Sequence, residues 1–185
     1  GLINDADITI IGSPHPDFTA GINLGVEYKN FDLNAFIFGS FGNDIFNSTK
    51  QFTIFRQFDT NADQRLVTDA WTPQNTDTDL PALDINDAES RRPSSFYVEK
   101  GSYIRLTQLQ LGYTFPKTVG GDILSNLRLY VQGQNLFTIT DYSGLDPALS
   151  SFGTGNSDAD DLFMGVDFGN YPTTRIIMFG VNAAF

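Results

Sequence analysis

Apolar and polar residues alternate along five stretches of the chain. In residues 18–28 the even positions are mostly apolar and the odd ones polar or glycine, and in residues 31–42 the phase is reversed. A period of two places successive side chains on opposite faces of a β-strand. The same pattern recurs further on, so we predict five half-apolar strands, at about residues 18–28, 31–42, 96–115, 126–140 and 174–185.

The connections between these predicted strands alternate between short and long. Residues 29–30 and 116–126 form short links, of which Lys29-Asn30 is typical of a tight hairpin turn. Barrels of the bacterial outer membrane have short periplasmic turns and long outer loops. If the C-terminus faces the periplasm, all four connections lie on the expected sides. The pattern therefore predicts two long extracellular loops, 43–95 and 141–173.

One short segment breaks the alternation at the start of the third strand. Ile104 and Leu106 occupy the polar phase, whereas Arg105 occupies the apolar one. A β-bulge near residue 107 would restore the phase. A strand end that projects beyond a bilayer is the alternative, and the sequence leaves both open.

Composition narrows the fold class. Charged residues make up 18% of the chain, below the roughly 25% usual for soluble domains. Apolar runs also stay well short of the ~18 residues that a membrane-spanning helix requires. A transmembrane barrel fits both facts because only alternate residues of its strands face lipid. A soluble β-sandwich, whose inner faces also alternate, is the alternative fold.

Aromatic residues reach 14% of the chain and concentrate at the ends of the predicted strands. In transmembrane barrels such residues form girdles at the two membrane interfaces. We predict one girdle toward the periplasmic side and one toward the outside. The first would contain Tyr28, Phe31, Tyr113, Phe115 and Phe185, and the second Phe18, Phe41 and Phe137.

The net charge of −11 is concentrated in the two long connections. Residues 43–95 contain nine acidic and five basic residues, and residues 141–173 contain six acidic residues and no basic one. Nucleic-acid binding usually requires a basic surface, so nucleic acid is not an expected partner. The simplest interpretation is that the acidic residues keep these loops solvated.

The residues available for catalysis are few. The chain has no cysteine and a single histidine, His15, in a Ser-Pro-His-Pro turn. We therefore predict neither an enzyme nor a cofactor. The adjacent pair Asp160-Asp161 is poorly spaced for a glycosidase. With Asp158 it forms a candidate site for a hard cation, although the spacing does not match an EF-hand.

The long loops also contain aromatic residues that are candidates for substrate contact. Aromatic rings bordered by polar groups are suited to stacking on sugars or other small ligands. The alternative is that these rings pack the loops together. Three basic residues are predicted on or near the side of the strands that faces the barrel lumen, where they are candidates for binding an anionic substrate: Lys100, Arg105 and Arg128. The aromatic candidates are Trp71, Tyr142, Phe152, Phe163 and Tyr171.

Several motifs, in order, resemble the C-terminal part of SusC/RagA-like TonB-dependent transporters of the outer membrane. Near the start are residues 11–18, beginning Ile-Gly-Ser-Pro, and the Tyr-Lys-Asn-Phe-Asp-Leu of residues 28–33. Residues 42–47 (Gly-Asn-Asp-Ile-Phe-Asn) follow the second strand. The later motifs lie at 96–106, 111–116, 131–138, 171–172 and 175–185.

This resemblance implies a fold and a set of partners. It identifies residues 1–185 as about five C-terminal strands of a large antiparallel barrel of roughly 22 strands. The plug domain and the TonB-contacting part would lie outside this chain. The implied partners are TonB, a SusD-like surface lipoprotein that forms a lid, outer-membrane lipid, and an oligosaccharide or peptide substrate. The implied location is the outer membrane of a Gram-negative bacterium.

The resemblance also gives the last strand a second role. Its alternating apolar residues and terminal aromatic resemble the signal that barrel-assembly machinery recognises, and they are Phe179, Val181, Ala183 and Phe185. For the function, three hypotheses remain: a TonB-dependent importer, a passive porin or surface adhesin barrel, and a soluble β-sandwich binding module.

Overall fold

The computed structural model describes residues 5–55, 61, 63–84, 87, 89–116, 124–148 and 163–184. Two short helices lie within them, α1 (Thr49–Thr53) and α2 (Arg65–Thr68), with single 3-10 turns at Asp5–Asp7 and Ser95–Tyr97. None of the helices in these ranges has the length and apolar character needed to cross a membrane. The strands are β1 (Phe18–Tyr28), β2 (Phe31–Phe41), β3 (Asp44–Asn47), β4 (Val98–Lys100), β5 (Tyr103–Thr114), β6 (Asn126–Thr140), β7 (Val166–Asp167) and β8 (Ile176–Ala184).

The chain divides into two compact units, which we name and describe separately. The sheet unit comprises residues 16–42, 101–141 and 172–185, and the loop unit comprises residues 1–15, 43–100 and 142–171.

The sheet unit is one antiparallel sheet with the strand order β1-β2-β5-β6-β8. The long strands follow from their alternating sequence, because each has one apolar side to place on one face. Tyr28 pairs with Phe31 across a two-residue turn, in which Lys29 has a φ of 56°. The sheet confirms the antiparallel β fold and the first hairpin expected from the sequence.

The break in the alternation near residue 107 is a β-bulge. Thr107 is skipped in the pairing of β5 with both neighbours, since Leu106 pairs with Ile37 and Gln108 with Phe36. The bulge returns Leu106 to the apolar row and moves Arg105 to the opposite face. On β6 the compensating irregularity lies at residues 135–136, where Asn135 adopts a φ of 50°.

The observed strands differ from the predicted ones at two places. The predicted strand 96–115 is divided, because β4 pairs with β3 in the loop unit whereas β5 joins the large sheet. Ser102 precedes β5 in the sheet unit. Its carbonyl accepts a hydrogen bond from the hydroxyl of Thr140, and its own hydroxyl accepts one from the N–H of Gly42. The last strand begins at Ile176 rather than near residue 174.

The loop unit has more regular structure than the sequence predicted for residues 43–95 and 141–173. It contains a three-stranded sheet of order β4-β3-β7, in which β3 and β7 run parallel. Its core includes the fully buried side chains of Ile45, Ile54 and Tyr97. These come from segments far apart in the sequence, so the alternation within any one segment is too short to reveal them.

Candidate functional site

One face of the sheet is apolar across all five strands, and we call it the apolar face. A single row of paired residues crosses it, formed by Val26, Leu33, Leu111, Val131 and Phe179. Much of this face is open: Leu24 is 51% exposed and Phe179 is 83% exposed. An apolar surface of this extent is rare on soluble monomers and indicates contact with lipid or with another protein. These residues do not converge in a closed interior, as a β-sandwich would require.

Aromatic rings pack together at both ends of the apolar face. Phe18 stacks on Phe41 with ring centroids 4.8 Å apart. At the other end Phe31 lies 4.7 Å from Tyr113, which in turn contacts Phe115 at 4.9 Å. Two separated aromatic clusters on an apolar surface are the arrangement of a membrane-interface girdle.

The opposite face, which we call the polar face, contains a row of amides and an ion pair, together with the aromatic rings of Phe36 and Phe38. Asn34, Gln110 and Gln132 form a row across the three central strands. Asp32 and Arg128 form a two-point ion pair across β5, with Arg128 Nε 2.9 Å from Asp32 Oδ1. The pair crosses directly over Gly112, where a side chain would collide with both partners.

Arg105 is held on the polar face by neighbouring hydroxyls. Its guanidinium donates to Thr138 Oγ1 and Thr173 Oγ1, both at 2.8 Å, and its side chain is buried. This burial follows from the bulge, which turns the residue away from the apolar face. Arg105 therefore acts first as a structural tie between β5, β6 and the segment before β8.

The loop unit contains two carboxylates that each accept several hydrogen bonds, one partly buried and one fully buried. Glu99 on β4 accepts hydrogen bonds from Asn47 Nδ2 and from the N–H and hydroxyl of Ser143, and it pairs with Lys50 at 2.8 Å. Burial alone would raise the pKa of Glu99, but the bonds from Lys50, Ser143 and Asn47 outweigh it, so the pKa lies below its usual value. Glu99 thereby ties β4 to β3, α1 and the segment after residue 141.

The second carboxylate, Asp167, is fully buried on β7. It accepts hydrogen bonds from the N–H groups of Gly169 and Asn170, at 2.8 and 3.0 Å, and from the hydroxyl of Tyr142 at 2.5 Å. Burial is the main cause that raises the pKa of Tyr142 far above its usual range, and the hydrogen bond to the Asp167 carboxylate raises it further. Tyr142 therefore remains a neutral hydrogen-bond donor.

A cleft of about 460 Å³ opens on the loop unit beside Trp71. Its apolar wall consists of Trp71, Phe55, Phe96, Leu80 and Pro81. A second cleft of about 600 Å³ includes charged residues in its lining, and the two clefts share Thr78, Asp79, Leu80 and Phe96. We call the two together the aromatic groove. Its aromatic wall and adjoining polar groups make it a candidate small-ligand site.

The aromatic candidates from the sequence have different surroundings in the loop unit. Trp71 lines the groove and is 43% exposed. Tyr142 is buried against Asp167, so it packs the loop rather than presenting a face to solvent. Phe163 packs on Phe168 at 5.6 Å, and Tyr171 is 87% exposed. The structure does not bring these four rings into one site.

The remaining candidates are partly beyond the described residues. Phe152 and Phe185 lie outside them, as do the three acids proposed for a cation, Asp158, Asp160 and Asp161. Among the described residues, acids and His15 form no group of three or more positioned to hold a metal ion. The groove residue Phe96 and the acid Asp79 were not identified from the sequence, because nothing local to them signals a shared cleft.

Comparison with known proteins gives consistent matches over the whole chain. No protein-family model matches. TonB-dependent receptor P3 of Formosa agariphila is 41% identical over all of this chain, and TonB-dependent receptor SusC of Bacteroides thetaiotaomicron is 26% identical over all of it. The RagAB peptide importer in its closed-closed state matches 95% of the chain with a TM-score of 0.73 and 27% identity.

The fold and the matches define the class as an antiparallel wall segment of a TonB-dependent receptor barrel. The chain is SusC/RagA-like over its whole length, which confirms the family expected from its motifs. The chain spans about 18% of the length of receptor P3 and 17% of that of SusC.

Proposed function

We propose that this chain supplies barrel wall and outer loops to a TonB-dependent importer in the outer membrane of a Gram-negative bacterium. The observation that carries the proposal is the exposed apolar face, which is continuous across five strands and bounded by aromatic clusters at both ends. A face of that kind is stable only where it is removed from water. The names of the matched relatives support import as the activity of the complete receptor, rather than catalysis.

A spin-label experiment tests the membrane placement. Single cysteines are introduced at Leu111 and at its neighbour Gln110 in the complete receptor, which is then reconstituted in lipid. The label at Leu111 is expected to collide with oxygen dissolved in the bilayer, and the label at Gln110 with a water-soluble nickel complex. Equal access of the nickel complex to both positions would contradict the proposal.

We propose further that import requires TonB and a SusD-like surface lipoprotein acting as a lid, with oligosaccharides or peptides as substrates. The SusC and RagAB matches support this pairing. The test is uptake of a labelled substrate by cells with and without TonB. Uptake that continues without TonB would favour a passive porin, and adhesion without uptake would favour a surface adhesin.

The last strand is also proposed to carry the assembly signal, through Phe179, Val181, Ala183 and Phe185. On β8 the first two are strongly exposed on the apolar face. Deleting Phe185 is expected to lower the amount of heat-modifiable barrel in the outer membrane. Unchanged barrel levels would contradict this role.

A further inference from the structure

The aromatic groove combines an apolar compartment with a charged one. Trp71 and Phe55 line the first compartment, whereas Lys50, Arg65 and Asp69 line the second. Asp79, like Phe96, lines both and stands where they meet. A ligand that fills the groove therefore has an apolar group next to a polar or charged one.

Trp71 is held in place by a loop that bonds mainly to itself. The N–H of Trp71 donates to the carbonyl of Leu80 at 3.2 Å, and Thr78 Oγ1 donates to the carbonyl of Asp69 at 2.6 Å. Residues 72–75 form a turn in which the N–H of Asn75 donates to the carbonyl of Thr72 at 2.9 Å. Proline is the second residue of this turn, where its fixed φ is favourable. These bonds order the backbone at Trp71, so less conformational entropy is lost when a ligand contacts this segment.

The polar edge of this ring has no partner among the residues that the structure describes. The indole N–H of Trp71 donates to none of them, and 43% of the residue is exposed. An indole N–H usually finds an acceptor when it is covered. A ligand carbonyl over the groove would supply one.

The charges around the groove leave an excess of acid. Lys50 is paired with Glu99, and Arg65 is paired with Asp63, in both cases at 2.8 Å. The carboxylates of Asp69 and Asp79 form no ion pair or hydrogen bond with the described residues. Among the described residues, those that line the groove and their ion-pair partners thus have two more negative than positive charges. A cation beside Trp71 gains both from these carboxylates and from the ring face.

From this arrangement we infer that the aromatic groove binds a short peptide segment with a basic side chain next to an apolar one. The basic group lies against Asp79, the apolar group lies among Trp71, Phe55 and Phe96, and a backbone carbonyl accepts from the indole N–H. A neutral sugar would use the ring but would leave the negative charge uncompensated. The inference rests on the proposed function, since it names the substrate class for an importer whose outer loop holds this groove.

The test is calorimetric titration of the complete receptor in detergent with three probes: acetyl-Phe-Arg-amide, acetyl-Phe-Glu-amide and maltohexaose. The arginine probe is expected to bind, and raising the salt concentration is expected to weaken it. Asp79→Asn, which keeps the shape of the residue, is expected to lower its affinity about 10-fold, and Trp71→Ala by a similar factor. Asp77→Asn changes an exposed acid outside the groove, and we expect less than about a twofold effect.

Three results would overturn the inference: equal binding of the arginine and glutamate probes, binding of maltohexaose that depends on Trp71, or no binding by a correctly assembled receptor. Trp71→Phe, which keeps an aromatic face, guards against a loss caused by misfolding and is expected to retain more affinity than Trp71→Ala. Assembly is followed separately by heat-modifiable barrel in the outer membrane. An assembled receptor that fails to bind refutes only the groove, whereas a receptor that never reaches the membrane refutes the proposed function.

Discussion

A lysine placed on the apolar face at Leu109 is expected to destabilise the sheet far more than the same lysine one residue further along β5. Leu109 lies between Ala35 and Gly133 on the apolar face, so neither neighbour shields or pairs with a new charge. Gln110 lies between Asn34 and Gln132 on the polar face. Both substitutions introduce a lysine into the same strand at nearly the same depth. They differ in which face of the sheet receives the charge.

The position of Leu109 along its strand sets the magnitude. β5 has 12 residues, and at about 3.3 Å per residue it runs about 40 Å, or about 28 Å across a membrane at a tilt of about 45°. Leu109 is near the middle of that span, where a lipid-facing lysine costs about 2–4 kcal/mol. Lysine at Gln110 faces water and polar groups, so a change below about 1 kcal/mol is expected.

The assay is denaturant unfolding of the complete receptor in lipid vesicles, together with the amount of heat-modifiable barrel in cells. Leu109→Lys is expected to lower both the unfolding midpoint and the barrel level, and Gln110→Lys is expected to leave both close to the unmodified receptor. Similar losses from both substitutions would refute the assignment of the two faces. A larger loss from Gln110→Lys would reverse it.

Further predictions concern the loop unit and the polar face. Glu99→Gln removes the charge that accepts several hydrogen bonds, and it is expected to lower the local free energy of unfolding by about 1–3 kcal/mol. The measurement is hydrogen exchange of the Ser143 amide, which should become faster. Glu89→Gln, which breaks an exposed ion pair, is the control and is expected to leave that amide unchanged. Because folding lowers the pKa of Glu99, this stabilisation is fully present above the ordinary pKa of 4.5 and is lost as the pH falls through the lower pKa of the folded state. Hydrogen-exchange protection of the Ser143 amide that does not change in acid would contradict this prediction. Gly112→Ala places a methyl group against the Asp32–Arg128 ion pair and is expected to lower the free energy of unfolding by about 1–3 kcal/mol. Gly25→Ala is the control on the same face. An added Cβ there has its nearest contact at 3.4 Å, so a loss below about 1 kcal/mol is expected.

Much of the sheet was predictable because its alternation is a local property. Each long strand has one side that must be apolar, so the sequence of a strand contains its own orientation. The hairpin at Lys29 also follows from a local turn, whereas the pairing of β2 with β5 and of β6 with β8 joins strands that are separated by long connections. What the sequence did not determine is the register on either side of Thr107. That register depends on which residues of β2 and β6 lie opposite, and the bulge is the conformation that brings Leu106 and Ile37 into one row.

The loop unit was less predictable for the opposite reason. Its sheet joins β3, β4 and β7, which are short and far apart in the chain, so no periodic signal builds up. The partners of Glu99 include Asn47 and Ser143, which come from different segments of the sequence. A carboxylate that holds a fold together and one that binds a ligand have the same sequence signature. Only burial and the number of donors separate them.

The same reasoning decides which loop aromatic is available to a ligand. A buried tyrosine hydroxyl must find an acceptor within the protein, and Tyr142 finds Asp167 while Tyr97 bonds the carbonyl of Ser90. Both rings are therefore committed to the fold. Phe163 has no polar atom to satisfy and packs on a neighbouring ring. Trp71 lines the groove, is 43% exposed, has an indole N–H without an acceptor among the described residues, and lies in a groove that Asp79 also lines. A side chain with these properties is better suited to bind a cationic peptide than to stabilise a core.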